Sequence, residues 1–355
     1  MHQMRFSNRK DILKTKNVIL LSAAILFVVL SLFAYLAWGK VKSVYCEAIE
    51  FTMGTRIRVY ISSNKIKPKD LANMVLREFK RIDQKFNPYN PESVIYKINH
   101  SNEWVDVDKE TFALIEAAVG YAKLTEGAFD PAIGRLITLW GFDDFSSKNA
   151  SSMKVPTEEE IKKALKMSGY QNILIDRKNM RVKMLNGAWL DLGAMVKGYA
   201  LERTYNIVKT IDKDATGFID AGGEIKIIGP KYGRTYWVIG IKNPRGEGSI
   251  DYIYMMEGTV ATSGDYERYF IIDGKRYHHI FDPKTGMPAP YARSVTVITK
   301  DAIAADVLST AGFVMAKDWR YVAVHFPELG AQVFMVLSDG SIEKSEGFFA
   351  YERKP

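Results

Sequence analysis

One cysteine in 355 residues, Cys46, excludes an intramolecular disulfide framework and any cysteine-rich zinc or iron–sulfur centre. Cys46 is expected to be a bystander. Concentrated basic charge is missing too. The net charge is +8, from 49 Lys and Arg against 41 Asp and Glu. Residues 1–42 carry seven of the basic side chains against Asp11 alone, leaving 42 basic and 40 acidic residues for the rest. A nucleic-acid footprint is a basic face on the folded domain, and a nearly neutral body offers none. No repeat or low-complexity linker breaks the chain after Glu47. What is present in quantity is apolar: 47% of residues, which excludes a disordered or fibrous protein.

Val18 to Trp38 is 21 residues without a charge. As a helix it spans roughly 30 Å, a bilayer core. Five basic residues precede it, and Lys40 and Lys42 follow. The positive-inside rule puts the N-terminus in the cytoplasm and the rest outside. The run is longer than a cleaved signal's apolar region, and Val44-Tyr45 does not suit a lipoprotein site before Cys46. The expected layout is a basic tail at 1–17, an uncleaved membrane anchor at 18–38, a linker at 39–49 and an extracytoplasmic domain at 50–355.

Apolar spacing within the domain predicts helices over Lys69–Phe86, Thr111–Leu124, Met195–Ile211 and Asp301–Met315. Thr157 with Glu158, Glu159 and Glu160 predicts a capped helix start. Glu50–Ser62 reads as one strand, and Asn172–Leu190 as three short ones. Ser146–Pro156 reads as a polar loop. Short β runs fill Thr216–Ile298. A further short helix and two or three strands close the chain. Helices and strands come in blocks, so the expected class is α+β, one large domain with mostly antiparallel or mixed sheets flanked by helices.

Few segments carry chemistry. Asp191-Leu-Gly-Ala-Met-Val-Lys197 joins a strand end to a helix start, where phosphate is favoured. Lys197 in that first turn opposes the helix dipole, a conflict that a bound phosphate removes; an ordinary solvated lysine is the even alternative. Asp306 and Thr310 share one helix face. With Ser309 they form a hard-oxygen set suited to Mg²⁺; helix capping or solvent-facing polar groups are the alternative. Thr262-Ser-Gly-Asp265-Tyr-Glu-Arg268 and His278-His279-Ile-Phe-Asp282-Pro-Lys-Thr285-Gly286 crowd polar groups around a strand and turn. Adjacent histidines on a strand face opposite sides, which argues against a zinc site. Ala221-Gly222-Gly223-Glu224 is sufficiently explained as a tight turn. Phe129, in Gly127-Ala128-Phe129-Asp130-Pro, covers a ring or plugs the core.

Taken together and in order, these segments, with Met53-Gly-Thr55, Leu139-Trp-Gly-Phe142 and the Ala305-Asp306 helix, resemble the FAD:protein FMN transferases of the ApbE family. The resemblance runs from about Glu50 to the C-terminus. It implies an enzyme that splits FAD, attaches FMN by a phosphoester to a threonine of a partner protein, and releases AMP with Mg²⁺. It implies Ala194 (through its carbonyl), Asp306 and Thr310 as metal ligands, with Ser309 where the family often has Asp. It implies Met53, Tyr89, Gly127, Ala128, Phe129, Asp191, Lys197, His279 and Ile280 as FAD contacts. His279 is also a candidate proton acceptor, or equally a pyrophosphate or ribityl contact. The implied partner is a subunit of a membrane redox complex, and the implied place the periplasmic side of a bacterial inner membrane. The same site with water as acceptor is an FAD pyrophosphatase; without turnover it is a membrane-anchored flavin-binding protein.

Overall fold

The computed structural model describes residues 26–29, 31, 45–143, 153–232 and 234–354. Apart from those five helical residues, the expected anchor at 18–38 lies outside them. Among the described residues no helix is long and apolar enough to cross a membrane. Met1–Val44 and Tyr45–Pro355 are separate compact units; the fold below is that of the second.

Its backbone is an eight-stranded sheet, antiparallel at every pairing. In spatial order the strands are β1 (Cys46–Thr52), β2 (Thr55–Ser62), β6 (Thr216–Ala221), β7 (Glu224–Gly229), β10 (Gly258–Gly264), β13 (Ala292–Thr299), β14 (Gln332–Leu337) and β15 (Ile342–Lys344). Side-chain alternation splits the strands between two cores. Ile228, Val295, Val297, Val333 and Met335 face three helices: α1 (Pro68–Phe86), α6 (Val196–Ile211) and α7 (Ala302–Val314). Their neighbours Ile227, Ile298, Phe334 and Val336 face the hairpin β8–β9 (Trp237–Lys242 and Ser249–Met255) and Phe348.

The expected helices form, each for its local reason. α1 starts at Pro68, which needs no intrahelical donor there. It buries Leu71, Val75, Phe79, Ile82 and Phe86 along one stripe. Asp301 caps α7 by accepting from Ile303 and Ala304 N–H. Most of α7 is buried, because β10, β13 and α6 all pack on it. Thr157 and Glu160 close a capping box on α5 (Glu158–Lys166).

Two expectations change. Glu50–Ser62 is no single strand but the end of β1, a turn made by Met53-Gly54, and β2 of one hairpin. Met53 has φ 55°, held by Asp83, whose Oδ2 accepts from Met53 N at 2.8 Å and Thr52 Oγ1 at 2.7 Å. Alternation continues across so short a turn, which hid it. Asn172–Leu190 holds two strands, β4 (Ile173–Asp176) and β5 (Arg181–Met184), and the rest pairs with no sheet. Most of the Ser146–Pro156 loop lies outside the described residues. The α+β class with antiparallel sheets stands.

Candidate active site

A cleft of about 470 Å³ opens at one rim of the large sheet. That is within the size of small-ligand sites. Its lining includes the Met53–Thr55 turn, the Gly222 turn between β6 and β7, the end of β10 at Thr262–Gly264 and the Arg268–Phe281 region, with the end of α1, the start of α6 and the middle of α7. Every sequence-predicted site residue lines it except Gly127 and Ser309. Gly127 precedes the lining residues Ala128 and Phe129. Ser309 is buried beneath Thr310, its hydroxyl donating to the Asp306 carbonyl at 2.9 Å.

One wall is apolar. Phe129 and Ile280 are nearly fully buried, and Phe142 joins Trp140, Phe270, Tyr277 and Phe281 in an aromatic cluster beneath. Phe129 therefore both lines the cleft and plugs the core. Asp130 fixes its loop, accepting from Ala132 N and Tyr170 N at 2.8 and 2.9 Å. Burial pushes the Asp130 carboxyl up to about 6. At the mouth, Tyr89 donates its hydroxyl to Asp191 at 3.0 Å, and Gly193 N donates to the other Asp191 oxygen at 2.7 Å. Burial raises the Asp191 carboxyl against those two bonds.

The opposite wall is charged. Lys197 Nζ lies 2.5 Å from Glu224 Oε1 and 3.7 Å from Asp306 Oδ1. Burial opposes the Lys197 charge, but Asp306 and then Glu224 more than reverse this, so its affinity for the proton rises. The first-turn lysine is matched by two carboxylates from other elements, without a phosphate. Burial, then the neighbouring Asp306, hold the Glu224 carboxyl above its ordinary range, and Lys197 pulls against them. Among the described residues, Glu224 Oε2 is buried and meets no hydrogen-bond donor. Ser263 Oγ bridges to Ser309 at 2.9 Å and Thr310 at 3.2 Å, a hydroxyl cluster one helical turn from Asp306.

The two histidines divide as the alternation predicts. His278 is buried; its Nε2 donates to the Ala289 carbonyl at 3.1 Å and its Nδ1 accepts from Ile280 N. Burial drives it down to about 4, so it is a neutral scaffold group. His279 enters the cleft. Its Nδ1 sits 3.2 Å from the Arg268 carbonyl. A carbonyl only accepts, so Nδ1 carries the proton and Nε2 keeps a lone pair. Burial, then Arg268, holds this imidazole well below its usual range, hence neutral.

Glu224, Ser263, Arg268 and Asp83 line or brace the cleft without having been singled out for it. The signal for Glu224 was an acid entering a β run straight after Gly-Gly. Gly222 has φ 68°, and its Cα passes so close to Thr55 that a Cβ would lie 2.2 Å from Thr55 Oγ1. That turn is both tight and site-forming. Ser263 and Arg268 belong to the polar segment already noticed. Its Asp265 goes elsewhere, into an ion pair with Arg245. Asp282 closes its own turn by accepting from Lys284 N at 2.9 Å.

Fold and site define the class: an α+β domain with a cleft at one sheet rim, aromatic on one wall and acidic, basic and hydroxylic on the other. The chain belongs to the ApbE family, whose model matches residues 53–332. It is 30% identical over 323 residues to the FAD:protein FMN transferase of Treponema pallidum, covering 84% of this chain and 86% of that protein. The Vibrio cholerae protein of the same name is 29% identical over 309 residues, covering 84% and 90%. The crystal structure of the ApbE protein of Thermotoga maritima superposes with a TM-score of 0.84 at 54% identity, over 88% of this chain and all of that one. The apo flavinyl transferase ApbE of Pseudomonas stutzeri gives 0.74 at 25% identity, over 87% and 97%.

Proposed function

We propose that this chain is a Mg²⁺-dependent FAD:protein FMN transferase that joins FMN to a threonine of a partner protein and releases AMP. The observation that carries the reading is the pairing of Lys197 and Asp306 on one wall of a cleft whose other wall is aromatic. The flavin takes the wall of Phe129, Ile280, Met53 and Tyr89. The pyrophosphate meets Lys197. The threonine oxygen forms a bond to the FMN phosphorus as the anhydride bond to AMP breaks, and AMP leaves with that electron pair. His279 Nε2 takes the threonine proton.

The donors suit Mg²⁺. Asp306, the Thr310 hydroxyl and the Ala194 carbonyl are hard oxygens, with Ser309 just behind. Among the described residues no three His, Cys, Asp or Glu side chains group as a metal site. A metal here leans on neutral oxygens and on phosphate, as Mg²⁺ does. When bound, it supplies charge stabilisation at the pyrophosphate. Asp306→Ala removes the only anion of that set, so Mg²⁺-dependent turnover is lost.

We further propose that residues 18–38 anchor the chain in a bacterial inner membrane, with the domain outside the cytoplasm near a membrane redox complex that provides the acceptor. The charge asymmetry around Val18–Trp38 supports this. Alkaline phosphatase fused after Lys42 is then active; an inactive fusion sinks the topology.

The activity is tested by incubating the protein with FAD, Mg²⁺ and a candidate acceptor subunit and weighing the acceptor. A covalent FMN on threonine supports the transferase. FMN and AMP with an unmodified acceptor make it a pyrophosphatase, and unchanged FAD a flavin-binding protein.

A further inference from the structure

Lys197 stands between two carboxylates that treat it differently. Glu224 Oε1 is 2.5 Å from its Nζ, in contact, whereas Asp306 Oδ1 is 3.7 Å away. The other Asp306 oxygen accepts from Gly198 N at 2.9 Å, so the backbone holds Asp306 in direct contact while the lysine pairs with it only at longer range. Both carboxylates are buried, and Lys197 is about a quarter exposed toward the cleft. The Gly222-Gly223 turn delivers Glu224 on β7, a different element from the helix that carries Asp306, and the two carboxylates are neighbours. An ammonium and a divalent cation cannot both neutralise one carboxylate without repelling each other.

We propose that Glu224 is a positioning residue that holds the Lys197 ammonium off Asp306, leaving Asp306 free for a divalent cation while Lys197 stays charged beside it. The inference rests on the reading above that Asp306 binds the cation. Glu224 is the counter-ion of the lysine, not a ligand of the metal. With Glu224 neutral, Lys197 turns to Asp306 and competes with the cation for it.

The competition is read directly by titrating Mn²⁺ into the full chain in detergent micelles and following free Mn²⁺ by its paramagnetic resonance. Glu224→Gln is expected to bind Mn²⁺ about tenfold or more weakly than wild type. Lys197→Met is expected to bind it at least as tightly. The double variant is expected to recover most of the loss, because the competitor is gone; a merely structural role gives no such recovery. Equal affinity in Glu224→Gln and wild type overturns the proposal. So does a double variant as weak as Glu224→Gln, which makes Glu224 a ligand. Where Glu224→Gln fails to fold by circular dichroism, Lys197→Met decides, and weaker Mn²⁺ binding there overturns the proposal. Asp306→Ala separates the two readings. Binding that survives in it removes the metal role of Asp306 and this inference with it; binding lost there but unchanged in Glu224→Gln removes only the inference.

Discussion

Gly198 donates its backbone N–H to the Asp306 carboxylate at 2.9 Å, and it does so across a contact that leaves no room for a side chain. A Cβ on residue 198 would lie 2.3 Å from the Ala302 carbonyl oxygen and 2.8 Å from Asp306 Cβ. The first is backbone of a buried helix and cannot turn aside. Gly198→Ala is therefore expected to force α6 and α7 apart, at a cost of about 1–3 kcal/mol. Because the displaced group is Asp306, turnover should fall further than stability does. Urea unfolding beside a Mg²⁺ titration of activity checks this; an unchanged Mg²⁺ requirement in a destabilised protein rules out the link.

Lys197→Ala tests the reversal of sign that the structure imposes. A helix-dipole argument alone makes the empty variant slightly more stable. The structure gives the lysine two buried carboxylates, which the variant leaves facing each other. The empty variant should lose about 1–3 kcal/mol, below a fully buried pair because the lysine is partly solvated. It should also weaken FAD binding more than riboflavin binding, since only FAD brings a pyrophosphate. Thermal shifts of the two proteins, empty and with each flavin, measure both effects. A more stable empty variant sinks the ion-pair account.

That reversal shows where the sequence was legible. Helices with a clean apolar stripe, such as Pro68–Phe86, and caps such as Asp301 and Thr157 are local, so spacing finds them. The Asp306–Thr310 face is local too. The Lys197–Glu224 pair joins residues 27 positions apart on a helix and a strand, and no periodicity links them. The Gly-Gly before Glu224 is explained by turn geometry alone, which left the acid behind it unremarked. The Met53 turn was hidden by alternation that runs through it, and only Asp83, 30 residues on, betrays the strain it holds.

His278 gives a pH signature. Its neutral form bridges the Ala289 carbonyl and Ile280 N–H, and burial lowers it to about 4. Unfolded, it titrates near 6.5. Its folded value is depressed, so its contribution is present above pH 6.5 and is lost as pH falls toward 4. The full loss is about 3 kcal/mol as an upper scale. Asp130, raised to about 6 by burial, acts oppositely: its stabilisation grows as pH falls from about 6 toward 4. The readout is therefore the difference between wild type and His278→Asn in urea unfolding at pH 7.5 and 4.5. The gap should narrow at the lower pH, and a constant gap denies the assignment.

In the proposed transferase, His279 is the group that takes the threonine proton. Its ring is oriented by the Arg268 carbonyl at Nδ1, so the free lone pair is on Nε2. Its depressed affinity for protons keeps that lone pair available throughout the neutral range. The acid limb it imposes on the rate should fall below pH 6.5, because burial and the Arg268 charge outweigh the carbonyl bond that favours the proton. A positioned base contributes roughly 10²–10⁴-fold to a rate. His279→Ala should therefore slow flavin transfer by about that factor, while Mn²⁺ binding, proposed for the opposite wall, should stay close to wild type. A flavin contact alone predicts the reverse division: weaker FAD binding, with the rate at saturating FAD nearly intact. Single-turnover transfer at saturating FAD, measured beside FAD affinity, separates the two, and a wild-type single-turnover rate removes His279 from the chemistry.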